Sequence, residues 1–273
     1  MSRREAIGLT VFFLIAFGIP WAGWTVLEHL DLPYWLLPIF CSIAGFVASY
    51  AEGGADGLRR FCQRTLHVRG TAKFIFLAAF IPMMLGLLYL LGANAPFSLL
   101  QPALKRGLAM TLAMALVTGP LAEEFGWRGY LQAKLLRYMR PLWVALTVGV
   151  IWCAWHIPLF FSSVFSSTQS ALGFLAFCVT WAIFLAYLVP RANGSVWPAV
   201  FLHWSVNTHP SILSAFFPAI DGSQLPGDSK TTLLYGVAAI AFILLHWRYF
   251  TKRAALQATS NNSFKPKPLR GSA

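Results

Sequence analysis

The sequence predicts an all-α, polytopic membrane protein with about eight transmembrane helices. The first observation is composition: 58% of the 273 residues are hydrophobic and only 11% charged, with a mean hydropathy of +0.63. A soluble domain carries about 25% charged residues. The second is segmentation: apolar stretches near the length of about 20 residues that a membrane helix needs recur along the whole chain. The third is where the positive charge falls. With the N-terminus placed inside, the inner loops and C-terminal end hold 17 of the 21 Lys and Arg residues. That asymmetry predicts an even number of spans with both termini inside.

The segments run in order over 7–27, 33–51, 73–92, 107–131, 142–161, 170–190, 196–217 and 231–250. The first follows Arg3 and Arg4, and no small-residue cleavage site ends it, so it reads as a membrane helix and not a signal peptide. The loop after the second carries Arg59, Arg60, Arg64 and Arg69, and Lys73 opens the third segment. Lys134, Arg137 and Arg140 follow the fourth, Arg191 follows the sixth, and only Lys105, Arg106 and Lys230 fall on the outer side. Pro20, Pro38, Pro82, Pro120, Pro158 and Pro198 lie in or at the ends of the spans, where neighbouring helices can satisfy the freed carbonyls. The loop 221–229 reads as an external turn region, and 254–273 as a disordered basic cytoplasmic tail. The membrane domain is thus 1–253, with a motif core at 107–217.

This reading excludes several functions. The net charge of +12 is accounted for by topology and by contact with anionic lipid heads, with no nucleic-acid partner. The four cysteines, Cys41, Cys62, Cys153 and Cys178, show no CxxC pairing and read as free thiols.

Nine acidic residues serve the whole chain, yet Glu123 and Glu124 stand side by side in "GPLAEEFGWRGYL" inside the fourth span. Ionisable groups at membrane depth cost about 2.5–3.5 kcal/mol each and mark functional sites. At about 100° per residue, Glu124 and Arg128 share a face and can pair. Glu123 points elsewhere and is left as the free carboxylate, the type of group that serves as a general base. On the seventh span, His203 and Asn207 in "FLHWSVN" share a face four residues apart. On the fifth, His156 in "WCAWHIPLF" precedes Pro158, with Cys153 one turn before it. Counted from the inner ends, Glu123 and His156 both lie about 22 Å deep, whereas His203 lies nearer 10 Å. The three meet only if the seventh helix begins within the membrane or tilts. His29, His67, His209 and His246 read as solvated or interfacial.

Together, "EEFGWR", "WCAWH" and "HWSVN" resemble the three motifs of the CPBP family, the CAAX-protease and bacteriocin-processing (Abi) intramembrane proteases that include the type II CAAX prenyl endopeptidases. Glu123, Glu124 and Arg128 meet Glu-Glu-x-x-x-Arg, and His203 with Asn207 meets His-x-x-x-Asn. His156 meets Phe-x-x-x-His, with Trp152 where Phe is usual. The resemblance implies peptide-bond hydrolysis in a cavity open to the cytoplasm. Glu123 would activate water with help from His156, His203 and Asn207 would stabilise the oxyanion, and Glu124 and Arg128 would hold the geometry. It implies a peptide or membrane-protein substrate and a cell-membrane location, which the short loops place in a bacterial inner membrane.

Glu123, His156 and His203 are also a candidate zinc set of two histidines and one carboxylate. The shallower His203 and the absence of a spare carboxylate behind either histidine favour metal-independent chemistry, and no HExxH is present. The competing reading is a non-catalytic membrane protein, an ion-coupled transporter or an immunity or scaffold protein. Membrane Glu and His residues can also form proton relays, although no repeat symmetry of the transporter kind is visible. A bis-histidine haem protein is disfavoured by the same depth difference.

Overall fold

The computed structural model describes residues 1–27, 34–92, 97, 102–161, 168–217 and 229–252. His29, the expected external loop 221–229 except Ser229, and the expected tail 254–273 lie outside them. Among the described residues there is no strand. α1 (Arg3–Phe13) passes through a π-helical turn at Leu14–Gly18 into α2 (Ile19–Leu27). Ser2 and Glu5 cap α1 reciprocally, with bonds of 3.3 Å and 2.8 Å. Then come α3 (Ile39–Thr65), α4 (Ala72–Gly92) and α5 (Pro102–Leu116). α5 continues through π-helical Val117–Leu121, α6 (Ala122–Glu124), π-helical Phe125–Gln132 and α7 (Ala133–Leu135) as one motif helix. α8 (Pro141–Trp155), α9 (Ile157–Phe161), α10 (Thr168–Arg191), α11 (Trp197–Phe216), α12 (Ser229–Leu245) and α13 (Trp247–Thr251) complete the chain.

Four helical stretches are long and apolar enough to cross a membrane: Arg3–Val26, Ala72–Gly92, Gly107–Leu135 and Ala171–Arg191. Pro141–Trp155 and Lys230–Leu245 are apolar but shorter. The other expected segments fall short for local reasons. The second begins only at Ile39, after Pro38, and extends well past residue 51 into the basic stretch, to Thr65. It kinks at Gly53 and Gly54, the latter at φ +59°, a conformation that glycine adopts without steric cost. The fifth breaks at His156, two residues before Pro158, whose ring has no N–H to give the Ala154 carbonyl four residues back and would clash with it.

α3 packs along α1 and the motif helix, α11 lies against α4, and α10 lies against both α8 and α12. Glycines let α3 and the motif helix touch. A Cβ at Gly126 would fall 2.2 Å from the Cys41 carbonyl oxygen, and one at Gly45 2.8 Å from that of Phe125. Small residues at such contacts are how helices approach closely without a hydrophobic driving force between them.

The C-terminal end of the motif helix is pinned by charge. Glu5 accepts from Arg137 at 2.5 Å and from the Tyr138 hydroxyl at 2.6 Å. Glu52 accepts from Lys134 at 2.6 Å and from the Tyr130 hydroxyl. The Glu5 carboxylate pushes the Tyr138 phenol above its ordinary value, because the neutral hydroxyl is the form that donates. Lys134 and Arg137, read from sequence as free loop charges, are thus partners of the first and third helices, and Lys134 is buried.

All four cysteines are free thiols, with Cys41 and Cys178 buried.

Candidate active site

The motif helix departs from α-helical geometry on both sides of the paired glutamates. Pro120 has no N–H and its ring would strike the carbonyl four residues back, and the wider π-turn at Val117–Leu121 accommodates it. Such bulges are frequent at functional sites. Every residue from Ala122 to Gln132 is buried.

Glu124 and Arg128 are both fully buried and pair at 2.9 Å. Glu124 Oε1 also lies 2.8 Å from His203 Nδ1. One carboxylate oxygen therefore joins the motif helix to α11. Arg128 Nε and Nη2 find no hydrogen-bond partner among the described residues. The Trp152 ring covers the guanidinium instead, 4.4 Å from its carbon, a cation–π contact that strengthens where water is excluded.

Glu123 is held differently. Its Oε2 accepts from the Trp152 indole N–H at 2.8 Å and from that of Trp127 at 3.2 Å. Its Oε1 takes no hydrogen bond among the described residues, and the side chain is 4% exposed. The two adjacent acids thus have unlike partners: an arginine and a histidine for Glu124, two indoles for Glu123.

His203 does reach the motif helix despite its shallow position in the sequence count. α11 starts inside the protein. Ser195 and Val196 are fully buried, and they are fastened to the far end of α3 by Ser195 Oγ to the His67 carbonyl at 2.7 Å and Val196 N–H to that of Thr65 at 3.0 Å. Opposite stands Gly119, one turn before Glu123. A Cβ there would lie 3.0 Å from Asn207 Nδ2 and 3.4 Å from His203 Nε2. His203 and Asn207 thus face one point on the motif helix, and Asn207 is exposed.

His156 caps the broken end of α8. Its backbone N–H turns to the Cys153 carbonyl at 3.0 Å, and its Nδ1 takes the freed Trp152 carbonyl at 2.8 Å. A donor Nδ1–H leaves Nε2 with the lone pair. Among the described residues no hydrogen bond joins His156 to Glu123, His203 or Asn207; the Trp152 ring lies 6.3 Å from that of His156 and 5.2 Å from that of His203. Nor do three His, Cys, Asp or Glu side chains converge as a metal-holding group among the described residues. Glu123, His156 and His203 as placed do not form a ligand set.

His209 corrects the expectation of a solvated side chain. It is 2% exposed. Pro210 has no N–H to give the Val206 carbonyl, and His209 Nδ1 takes that carbonyl at 3.0 Å while Nε2 accepts from the Tyr235 hydroxyl at 2.9 Å. This ties α11 to α12. His67 is half-buried against the Arg64 carbonyl, and His246 stacks on Tyr187 at 4.3 Å.

The sequence reading did not single out Gly119 or Trp127, and it treated Trp152 as a neutral replacement. Trp127 was findable, because it stands four residues after Glu123 and brings a donor to a membrane-buried acid. The closeness of Gly119 to α11 has no one-dimensional signal.

Buried carboxylates, two histidines and an amide on an all-helical scaffold with several membrane-length apolar helices define a class: helical membrane proteins with a cluster of polar groups between their helices. Residues 105–209 match the family model of the type II CAAX prenyl endopeptidase Rce1-like proteins. The matched stretch contains Glu123, Glu124, Arg128, His156, His203 and Asn207, and it bears out the resemblance drawn from the three motifs. It supports a protease of the intramembrane CAAX type acting on a peptide or membrane-protein substrate. Comparison with curated proteins gives no match.

Proposed function

We propose that the protein is a glutamate-dependent intramembrane endopeptidase, with eight spans and both termini inside, in a bacterial inner membrane. The observation that carries this reading is the unlike holding of the two acids. Glu123 is anchored through one oxygen by two neutral donors and keeps Oε1 for a water molecule. Glu124 is occupied by Arg128 and His203.

In the proposed step, Glu123 takes a proton from water as its oxygen attacks the scissile carbonyl carbon. The carbonyl π electrons move to oxygen, and Asn207 and His203 stabilise the resulting oxyanion. Glu124 holds the His203 ring through Nδ1, which sets Nε2 toward the face of Gly119. The tetrahedral adduct then collapses, the C–N bond breaks, and the proton held by Glu123 passes to the departing nitrogen. His156, with Nε2 unbonded among the described residues, assists that transfer. The products are a carboxylate and an amine, and no covalent enzyme intermediate is required.

Metal independence is part of the proposal. It rests on the engagement of Glu123 Oε2 by two indoles and on the absence, among the described residues, of a convergent group of three His, Cys, Asp or Glu side chains. Chelation should leave activity intact. About one zinc per purified chain, lost with activity in His156→Ala and restored by added metal, would contradict it.

The function is tested by quantitative proteomics of membranes from cells carrying the wild-type chain or Glu123→Gln. Uncleaved membrane proteins or peptides should accumulate with the variant. Identical membrane proteomes, with equal amounts of folded protein, would favour the non-catalytic alternative.

A further inference from the structure

We propose that Trp152 is a positioning residue of the site, and that its indole N–H, not its bulk, is what orients Glu123 for reaction. The inference rests on the reading of Glu123 as the base. Trp152 is 3% exposed and touches four of the residues named in the proposed reaction or its support. Its Nε1–H donates to Glu123 Oε2 at 2.8 Å. Its ring lies 4.4 Å from the Arg128 guanidinium carbon. Its ring meets the His203 ring edge-on, at 5.2 Å and 74°. Its carbonyl accepts from His156 Nδ1 at 2.8 Å, which fixes that imidazole's tautomer.

These contacts separate by chemistry. The ring contacts to Arg128 and His203 need only an aromatic face and edge, and the bond to His156 needs only a backbone carbonyl. A phenylalanine, the residue usual at this place in the motif, would keep all three. The bond to Glu123 needs an indole N–H. Losing it leaves Trp127, at the longer 3.2 Å, as the remaining donor to Glu123 Oε2. The carboxylate could then rotate about its last torsion, and the oxygen meant for water would no longer be fixed. A hydrogen bond to a charged group in a water-poor site lies at the strong end of the range, and misplacement of a reacting group is costly to rate.

The test uses the full-length chain in lipid nanodiscs. Indole N–H resonances of the 11 tryptophans are recorded after ¹⁵N labelling, with Trp127→Phe and Trp152→Phe supplying the two assignments. Glu123→Gln should move the Trp152 and Trp127 signals upfield and leave the others in place. In parallel, cleavage of the membrane protein or peptide that accumulates in Glu123→Gln cells is followed with purified enzyme. Trp152→Phe should lower kcat about 10- to 100-fold with KM within about twofold, as expected for an interaction worth a charged hydrogen bond. Trp152→Leu, which also uncovers Arg128, should lose thermal stability as well. A Trp152 signal indifferent to Glu123→Gln, or wild-type kcat in Trp152→Phe, would overturn the proposal. Full activity in Glu123→Gln would overturn the assignment of the base instead, and the spectral contact would stand.

Discussion

His203 Nδ1 lies 2.8 Å from Glu124 Oε1, on the same oxygen that receives Arg128 at 2.9 Å. A single buried atom therefore links a salt bridge within one helix to a histidine on another. Replacing Glu124 by Gln removes the negative charge and strands a fully buried guanidinium. Breaking a buried pair in this way costs about 3–5 kcal/mol. Glu124→Gln is expected to lower expression and melting temperature together with activity. Thermal unfolding in detergent, monitored beside turnover, separates this from a purely catalytic loss. A fully stable but inactive Glu124→Gln chain would reassign that residue to the chemistry.

Gly119 supplies a different kind of test. Its missing side chain leaves the space into which Asn207 Nδ2 and His203 Nε2 face. A methyl group 3.0 Å from Asn207 Nδ2 is tighter than ordinary contact, so the amide must give way by a few tenths of an ångström. Loss of one oxyanion donor lowers kcat by about 10²–10³-fold, and a displaced donor should lose part of that. Gly119→Ala is expected to lower kcat with little change in melting temperature, measured on the same purified sample. Wild-type turnover would place the reacting carbonyl away from this face.

The inside–outside assignment makes a labelling prediction. On a cysteine-free background, a cysteine at Arg59 should react with a membrane-impermeant maleimide only after the cells are opened. One at Lys230 should react in intact cells. The reverse pattern would invert the topology and place the open side of the site on the other face.

Several features were legible in one dimension because local spacing fixes them. The apolar runs located the helices, and the four-residue spacings of Glu124 with Arg128 and of His203 with Asn207 put each pair on one face. The depth comparison was not legible, since it took helix starts to lie at the water boundary. α11 begins instead in the protein interior, with Ser195 and Val196 bonded to the end of α3. The π-turns flanking Glu123 were likewise hidden, although Pro120 hinted at one. Of the two partners of Glu123, Trp152 could not be read at all. It comes from α8, 29 residues away, and it depends on how two helices meet. The same holds for Glu5, Glu52 and Lys134, whose attraction across three helices no spacing announces.

The central claim is that Glu123, and not its neighbour, activates water. The most direct measurement is turnover by purified Glu123→Gln beside wild type, on the membrane protein or peptide that accumulates in the variant cells. Melting temperature is measured on the same preparations. Glutamine keeps the shape and an oxygen for the two indoles, but it cannot accept the proton. Loss of turnover to background with wild-type stability is the predicted result. Retained turnover in Glu123→Gln, with turnover lost in a stable Glu124→Gln, would contradict the account.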